Sequence, residues 1–380
     1  MTFTPFALEE WQSRYETAVA YNLADSGIDP VRLDELADTE EKARALLATP
    51  LHYPAVGGGL HLRELIAAHY PEADADNVLV TVGAAEANTL AVHSLIQPGD
   101  HAVVLEPGYR QVWGTLRNLG AEVDAFHLRA EQGWRPDIAE LETVLRPDTK
   151  LVYLVNPNNP VGTVLTDAEV DAIAAACAKV GAWLIVDEVY RGTERLTDTE
   201  TRTAWGTYER VITVGSLSKA YGLPGLRLGW LVAPREVIQA SWRRHEYFTI
   251  STGILSMQLA ELALAEPTRT ALLQRTRRLI RAGWTRLSTW VDASDGLVSA
   301  HAPQATALAF VRYDLDLPSA HVADVLRTEG DVLVGAGSDF GIEQHLRLTH
   351  GLELGYLDEA LARIETTLRT LRDRDAARVR

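Results

Sequence analysis

The sequence predicts an α/β fold: a large domain in which a mostly parallel sheet lies between two layers of helices, with a smaller α+β domain beside it. A chain of 380 residues is longer than one hydrophobic core usually supports, which indicates two domains. Over residues 77–234 continuous apolar stretches alternate with helix-like stretches, a pattern typical of parallel sheets covered on both faces. After residue 235 this alternation stops. We predict a large domain over 46–275 and a small domain built from 1–45 and 276–380.

The N-terminal segment carries helix and loop signals in turn. Residues 6–20 place large apolar side chains at helical spacing, which predicts a helix. Residues 21–30 bring Asp, Ser, Gly and Pro close together, a composition that breaks helices and predicts a loop. A second, shorter helix is predicted over 33–48.

The remaining elements follow from apolar runs for strands and from amphipathic runs for helices. The predicted strands of the large sheet are 77–83, 101–109, 121–128, 151–160, 182–190, a strand running into a loop over 211–222, and 226–234. The predicted helices between them are 84–96, 113–120 and 167–181. Beyond residue 235 we predict helices over 235–266, 268–292 and about 355–372, with strands near 307–313, 332–334 and 345–351. Ligands of such sheets bind at the carboxyl ends of the strands, so residues just after strands are the candidates for a site.

Composition and charge exclude several functions. The net charge of −16 argues against binding nucleic acid, because phosphate contacts need clustered Lys and Arg. No apolar run approaches the roughly 18 residues of a membrane span. The single cysteine, Cys177, forms no intrachain disulfide, and with no signal peptide at the start of the sequence it indicates a reducing, cytoplasmic location. The eleven histidines have no metal-binding spacing, so no metal site is predicted.

A lysine in a Ser- and Gly-rich loop is the central motif. Lys219 follows a predicted strand in the run Ser216-Leu217-Ser218-Lys219, a setting suited to a Schiff base with an aldehyde cofactor such as pyridoxal 5′-phosphate (PLP). Two hydroxyls and the guanidinium of Arg227 could hold the phosphate of that cofactor. The alternative is a solvated loop whose lysine and serines have no special role.

Two further motifs follow predicted strands. Asp187 and Tyr190 lie in DEVY after a wholly apolar strand. A carboxylate there could keep the PLP ring nitrogen protonated, which the electron-sink chemistry needs; the alternative is an exposed helix N-cap. Asn159 lies in NPNNPVG, where its amide could donate to the cofactor's phenolic oxygen together with the Tyr190 hydroxyl. The alternative is an ordinary Asn-Pro turn.

Three weaker signals complete the set. Gly83, Ala84 and Ala85 lie at a strand–helix turn, where backbone N–H groups of a helix N-terminus bind phosphate. Tyr109 could stack on the cofactor ring, and Arg347 could clamp a substrate carboxylate with its two-pronged guanidinium. A core tyrosine and a surface arginine are the alternatives.

Together these motifs resemble the class I and II aminotransferases of PLP fold type I, the aspartate aminotransferase-like enzymes. The resemblance runs from about Tyr53 to Arg347, and its most specific parts are SLSKAYGLPGLRLGW, DEVY and NPNNPVG. It implies a PLP enzyme that moves an amino group between an amino acid and a 2-oxo acid through a Schiff base on Lys219.

The resemblance also assigns residue roles. It implies catalytic roles for Lys219, Asp187 and Tyr190. It implies cofactor contacts by Gly83, Ala84, Ala85, Tyr109, Asn159, Asp187, Tyr190, Ser216, Ser218, Lys219 and Arg227. Arg347, Asn159 and Ser26 are expected to bind the substrate. Tyr53, in YPAVGGGLHLREL, corresponds to a tyrosine that reaches the phosphate of the partner subunit, which implies a homodimer with shared sites.

The sequence departs from the family pattern at several points. Val161 replaces the usual threonine, and Ala85 stands where many members have a Ser or Thr phosphate ligand. The segment NLADSGIDPVRLDEL is similar to the Ser-Gly-(Val/Ile) segment of capreomycidine synthase-like members. That similarity implies an alternative activity, β-elimination and cyclisation of a hydroxylated arginine-like amino acid.

Other classes fit less well. Decarboxylases of this fold commonly stack a histidine on the cofactor, where this chain offers Tyr109. A PLP-binding transcription regulator needs an N-terminal DNA-binding domain, and the segment ahead of the motifs is short and acidic.

The substrate pocket is expected to draw on the N-terminal segment and on residues 245–252. The candidates are Trp11, Tyr15, Tyr21, Asn22, Asp25 and Ser26. An acidic residue there, Asp25 or Glu16, would favour a substrate with a basic side chain.

Overall fold

The structure, a computed structural model, describes residues 3–378. Its helices are α1 (Ala7–Tyr15), α2 (Leu33–Leu36), α3 (Glu40–Leu47), α4 (Leu60–Ala67), α5 (Gly83–Leu95), α6 (Gln111–Asn118), α7 (Ile138–Val144), α8 (Asp167–Val180), α9 (Arg235–Phe248), α10 (Ile254–Leu264), α11 (Thr268–Asp292), α12 (Ser319–Glu329) and α13 (Leu354–Arg378). Its strands are β1 (Tyr21–Asn22), β2 (Val78–Thr81), β3 (His101–Glu106), β4 (Glu122–Arg129), β5 (Arg135–Pro136), β6 (Thr149–Val155), β7 (Trp183–Asp187), β8 (Val211–Ser216), β9 (Gly229–Val232), β10 (Val298–Ala300), β11 (Leu308–Tyr313), β12 (Val332–Leu333), β13 (Gly335–Ala336) and β14 (His345–Thr349).

The large sheet has eight strands in the order β2-β9-β8-β7-β6-β3-β4-β5. Strands β8, β7, β6, β3 and β4 are parallel, whereas β9 runs antiparallel to both of its neighbours and β5 antiparallel to β4. Asp187 is in register with Val155 on one side and with Val214 on the other. The carboxyl ends of β2, β3, β6, β7 and β8 therefore lie along one edge of the sheet, together with the start of β9.

Helices cover both faces of this sheet. Along β6, Val152 and Leu154 belong to one buried cluster, and Tyr153 and Val155 belong to another. Because side chains of a strand point alternately to opposite faces, the two clusters are the cores on the two sides of the sheet. The three-layer α/β fold predicted from the sequence is confirmed.

A second sheet, β10-β11-β14-β13, is antiparallel and packs with the C-terminal helices. The N-terminal segment joins it: β1 pairs with β12, and Leu23 is buried in the same cluster. The predicted boundary at residue 275 lies inside α11, where Leu272 and Leu273 join a core of the large sheet and Leu287 joins the second core. The division into two domains remains a prediction.

The single helix predicted over 235–266 is wrong. The chain leaves the helical conformation after Phe248, and α10 starts only at Ile254. Ile250 has φ +67°, a left-handed conformation that ends a helix. The predicted helix over 6–20 also ends early, at Tyr15.

None of the helices in residues 3–378 is long and apolar enough to cross a membrane.

Candidate active site

A cavity of about 300 Å³ opens at the carboxyl edge of the large sheet. The loops that follow β2, β3, β6, β7 and β8 form its floor and walls, and the N-terminal segment forms another side. Eleven of the predicted site residues line it: Ser26, Ala84, Ala85, Tyr109, Asn159, Asp187, Tyr190, Ser216, Ser218, Lys219 and Arg227. The parallel arrangement of the strands explains this convergence, because it brings residues far apart in sequence to one edge.

Lys219 projects into this cavity from the loop after β8, and its side chain is 22% exposed. Its Nζ donates a hydrogen bond to Oγ of Ser26 at 2.7 Å and lies 3.9 Å from Oδ1 of Asp25. Burial lowers the pKa of the amine, the charge of Asp25 opposes that shift, and the charges of Arg347 and Arg227 add to it. The lysine therefore loses its proton more easily than an exposed one.

Asp187 is buried at the end of β7 and is 3% exposed. It accepts hydrogen bonds from neutral donors, Nδ2 of Asn88 at 2.8 Å and the backbone N–H of Val189 at 3.1 Å. Burial raises its pKa to about 6, although these hydrogen bonds oppose the shift. A buried carboxylate with neutral donors is a favourable partner for a ligand that brings a positive N–H group.

Tyr190 and Asn159 meet beside Arg347. Nδ2 of Asn159 lies 3.5 Å from the Tyr190 hydroxyl, and its Oδ1 accepts a hydrogen bond from Nη1 of Arg347 at 3.2 Å. Nη2 of Arg347 donates to the carbonyl of Ala24, and its Nε is buried without an acceptor.

The sequence prediction for Arg347 therefore needs refinement. Its side chain is fully buried and does not line the cavity, and its two terminal nitrogens donate to Asn159 and to the carbonyl of Ala24. It is neither the surface arginine of the alternative interpretation nor open to the cavity.

The start of α5 and Arg227 form a positively polarised corner. A methyl group added at Gly83, which has φ +74°, would lie 2.7 Å from Nη2 of Arg227, so the guanidinium lies directly beside the helix N-terminus. A methyl group at Gly229 would lie 2.5 Å from the backbone N of Ala84, so β9 passes equally close. Backbone N–H groups, a guanidinium and the Ser216 and Ser218 hydroxyls make a setting suited to a phosphate.

Tyr109 presents its ring to the cavity after β3. Its hydroxyl donates to Oε1 of Glu9 at 2.8 Å, and its ring meets that of Phe6 edge to face at 5.1 Å between centroids. Helix α1 is therefore held against the cavity through this tyrosine.

Tyr53 is, with Gly83 and Arg347, a predicted site residue that is absent from the lining of this chain's own cavity. Its side chain is 84% exposed and lies outside the lining. Its expected role in a partner's site stays a prediction.

Most of the expected substrate-pocket candidates are not at the cavity. Only Asp25 and Ser26 line it, whereas Trp11, Tyr15, Tyr21, Asn22, Glu16 and residues 245–252 do not. Trp11 instead donates from Nε1 to the carbonyl of Val334 and packs on the second core. Helical spacing alone could not say whether an aromatic side chain faces a core or a pocket.

The sequence interpretation missed Asn88, Glu9 and Gln12, all of which line the cavity. Asn88 was detectable, because it lies three and four residues after Ala85 and Ala84 on the same helix face. Glu9 and Gln12 had no such signal, since the position of α1 depends on tertiary packing.

Within residues 3–378 no group of three or more His, Cys, Asp or Glu side chains is arranged to hold a metal ion.

Comparison with known proteins gives a consistent result. The family model described as aminotransferase class I and II matches residues 30–364. Capreomycidine synthase of Streptomyces vinaceus is 30% identical over 372 residues, covering 96% of this chain and 93% of that protein. Histidinol-phosphate aminotransferase of Symbiobacterium thermophilum is 32% identical over 312 residues, covering 81% of each. A crystal structure of a PLP-dependent aminotransferase from Streptococcus suis superposes with a TM-score of 0.91 at 31% identity, covering 97% of this chain and 99% of that one.

Proposed function

The chain belongs to the class I and II aminotransferase family, and from this premise we propose that it transfers an amino group between an amino acid and a 2-oxo acid with PLP carried on Lys219. One observation supports this most strongly: the same cavity is lined by Lys219, a partly buried amine of lowered pKa, and by Asp187, a buried carboxylate of raised pKa. An amine and a carboxylate whose pKa values are both shifted, in one cavity, are typical of an active site.

The residues present fit PLP. The N-terminus of α5, Ser216, Ser218 and Arg227 would hold its phosphate, and Asp187 would accept a hydrogen bond from the protonated ring nitrogen. Tyr190 and Asn159, whose polar atoms are 3.5 Å apart, would bind its phenolic oxygen. When bound, PLP supplies an aldehyde that reacts with amines and a ring that takes up the electron pair left at the substrate α-carbon.

Lys219 would move the proton. Burial keeps a larger share of its amine neutral than an exposed lysine would have. A neutral amine can accept the proton from the substrate α-carbon and return it to the carbon that was the cofactor's aldehyde, so Lys219 would be the general base and then the general acid. The Ser26 hydroxyl, which accepts a hydrogen bond from Nζ at 2.7 Å, would orient the amine.

Arg347 would bind the substrate carboxylate after a local rearrangement. Its Nη2 donates to the carbonyl of Ala24, while its Nε has no acceptor. A carboxylate is a stronger acceptor for a guanidinium than a carbonyl is, and it can engage two N–H groups at once. We expect the substrate to displace Ala24, which would move the N-terminal segment as the substrate enters.

A cytoplasmic homodimer with shared sites is part of the proposal. Tyr53 is 84% exposed, and an apolar groove of about 660 Å³ lies between α2, α3 and α10. Leu33, Leu47 and Leu255 expose apolar side chains there, as surfaces that contact another chain commonly do. In the dimer Tyr53 would add a hydroxyl to the phosphate site of the partner.

A second candidate is β-elimination and cyclisation of a hydroxylated arginine-like amino acid. It is supported by the 30% identity to capreomycidine synthase over nearly the whole chain. The same Lys219 and Asp187 would serve, since both reactions begin by removing the α-proton.

The test is the complete reaction. The PLP-loaded protein is incubated with single amino acids and a 2-oxo acid, and the new amino acid and oxo acid are separated and quantified. Equal amounts of the two products support amino transfer. Loss of water or ammonia from the donor, without transfer of its amino group to the added oxo acid, would favour the second candidate. The Lys219→Ala variant serves as the control and should form neither product.

A further inference from the structure

We propose that Glu9 and Asp25 form an acidic mouth on the active-site cavity that selects an amino acid with a cationic side chain. The substrate class would be amino acids that end in a guanidinium or an ammonium group. This inference rests on the proposed function and adds the identity of the donor.

The other charged groups of the site each have a partner in the proposed function. In the proposed function Arg227 would hold the phosphate, Asp187 would pair with the ring nitrogen, and Arg347 would receive the substrate carboxylate. Glu9 and Asp25 also line the cavity, and no part of the cofactor or of the common amino-acid backbone needs them. Both belong to the N-terminal segment, which forms one side of the cavity.

Asp25 is fixed in place with acceptor capacity to spare. Its Oδ1 accepts hydrogen bonds from the backbone N–H groups of Ser26 and Gly27. The same oxygen lies 3.9 Å from Nζ of Lys219, which places the carboxylate next to the reacting amine. The side chain is 61% exposed, so an incoming cation can reach it.

Glu9 is held by a single neutral contact. Its Oε1 accepts a hydrogen bond from the Tyr109 hydroxyl at 2.8 Å, which orients the carboxylate over the cavity. Among the side chains that the structure describes, residues 3–375, no arginine or lysine forms an ion pair with Glu9 within 4.0 Å. Its charge is therefore available to a ligand. A guanidinium could engage the two carboxylates together, since its N–H groups fan out in one plane.

Each carboxylate also has a simpler structural role that must be separated from selectivity. Asp25 closes a turn through its hydrogen bonds to Ser26 and Gly27, and Glu9 anchors Tyr109. Asp25→Asn and Glu9→Gln keep an acceptor oxygen for those bonds and remove only the charge. Glu10→Gln is the matched control, because it removes the same charge from the neighbouring position of α1, which does not line the cavity.

The experiment compares arginine with citrulline, which has nearly the same shape but no charge. For each PLP-loaded protein the ratio of kcat/KM for arginine to kcat/KM for citrulline is measured at low and at high salt. We expect the wild type to prefer arginine at least about tenfold. Each single variant should lower the ratio about three- to fivefold, as expected for partly exposed ion pairs. The ratio should also fall with added salt, whereas Glu10→Gln should keep the wild-type ratio.

Two results would overturn the acidic mouth: a wild-type ratio near one, or a ratio that neither Asp25→Asn nor Glu9→Gln changes. Failure of the proposed function is distinguishable, because it would abolish turnover with every amino acid. In that case calorimetric binding of arginine and citrulline to the same proteins decides the question. Arginine binding that weakens in both variants supports the mouth, and equal binding of the two ligands contradicts it.

Discussion

Asn88 donates a hydrogen bond from Nδ2 to Oδ2 of Asp187 at 2.8 Å in the buried interior, while its own Oδ1 has no partner. The bond joins α5 to the end of β7. It therefore links the helix whose N-terminus would hold the phosphate to the carboxylate. An amide cannot neutralise a carboxylate, and burial still raises the Asp187 pKa to about 6. The site thus holds a charge that the protein alone does not compensate.

Replacing Asp187 with asparagine should stabilise the cofactor-free protein at neutral pH. Because the pKa is about 6 in the folded state against a usual 3.8, folding opposes ionisation of this carboxyl. Stability is therefore lost as the pH rises from about 4 to 6, and the full penalty, about 3 kcal/mol, applies above that range. In Asp187→Asn the orphaned Oδ1 of Asn88 can accept from the new amide after a flip.

The check is the thermal midpoint of the cofactor-free proteins over a pH series. Asp187→Asn should unfold at a higher temperature than wild type at pH 8, and the difference should vanish near pH 4. Activity of the loaded variant should fall at least about a hundredfold, since it loses the carboxylate that faces the ring nitrogen. A variant that is less stable at pH 8 and equally active would contradict the role assigned to Asp187.

Asn88→Ala should move the pH dependence of the same carboxylate. The Asn88 hydrogen bond lowers the Asp187 pKa, so its loss should raise that pKa further above 6. The pH range over which ionisation of Asp187 lowers the thermal midpoint should therefore extend to higher pH in Asn88→Ala than in wild type. Asn118→Ala, which removes a part-buried contact with Thr4 outside the cavity lining, is the control and should leave this pH range unchanged.

How far the sequence predicts the site depends on which elements carry each residue. Lys219, Asp187, Tyr190 and Asn159 follow apolar strands, so a parallel sheet brings them to one edge, and the structure places all four in one cavity. The family, the fold and the aminotransferase function predicted from these motifs are confirmed.

The rest depends on long-range packing that local patterns do not encode. Glu9 reaches the cavity only because α1 packs against Tyr109, a hundred residues away in the sequence. Arg347 is enclosed because Ala24, from the N-terminal segment, lies across its guanidinium. The break between α9 and α10 rests on the left-handed conformation of Ile250, which residue preference alone would not predict.

Gly229→Ala should weaken PLP binding. The added methyl group would lie 2.5 Å from the backbone N of Ala84, so β9 or the start of α5 must move. Overpacking of this kind costs about 1–3 kcal/mol, and where this cost falls on the bound state it corresponds to roughly five- to 150-fold weaker binding. Gly225→Ala is the matched control, because a methyl group there meets nothing within 4 Å. Titration with PLP, followed by fluorescence, should show weaker binding in Gly229→Ala than in Gly225→Ala. Equal PLP affinities of the two variants would contradict a phosphate site at the start of α5.

Mixing two variants, each impaired at limiting PLP, tests the shared-site dimer. Lys219→Ala removes the amine from its own site, and Tyr53→Ala should remove a phosphate contact from the partner's site. In a mixed dimer one site would keep both residues, so activity should appear at limiting PLP, up to about a quarter of the wild-type value when chains exchange randomly. Lys219→Ala mixed with Asn159→Ala is the control. A mixed dimer of these two variants would regain an intact site only if one site took Lys219 from one chain and Asn159 from the other. In this structure both residues line the cavity of the same chain. That mixture should therefore stay inactive, and equal recovery in both would contradict the role of Tyr53.

The central claim is amino transfer through Lys219, and its most direct test is the half-reaction. A single amino acid is added to the PLP-loaded protein without any oxo acid, and the visible absorbance is followed. We predict conversion of the bound cofactor from its aldehyde to its amine form, complete reversal when a 2-oxo acid is added, and neither change in Lys219→Ala. A cofactor that returns to the aldehyde form by itself while the amino acid loses water or ammonia would contradict amino transfer.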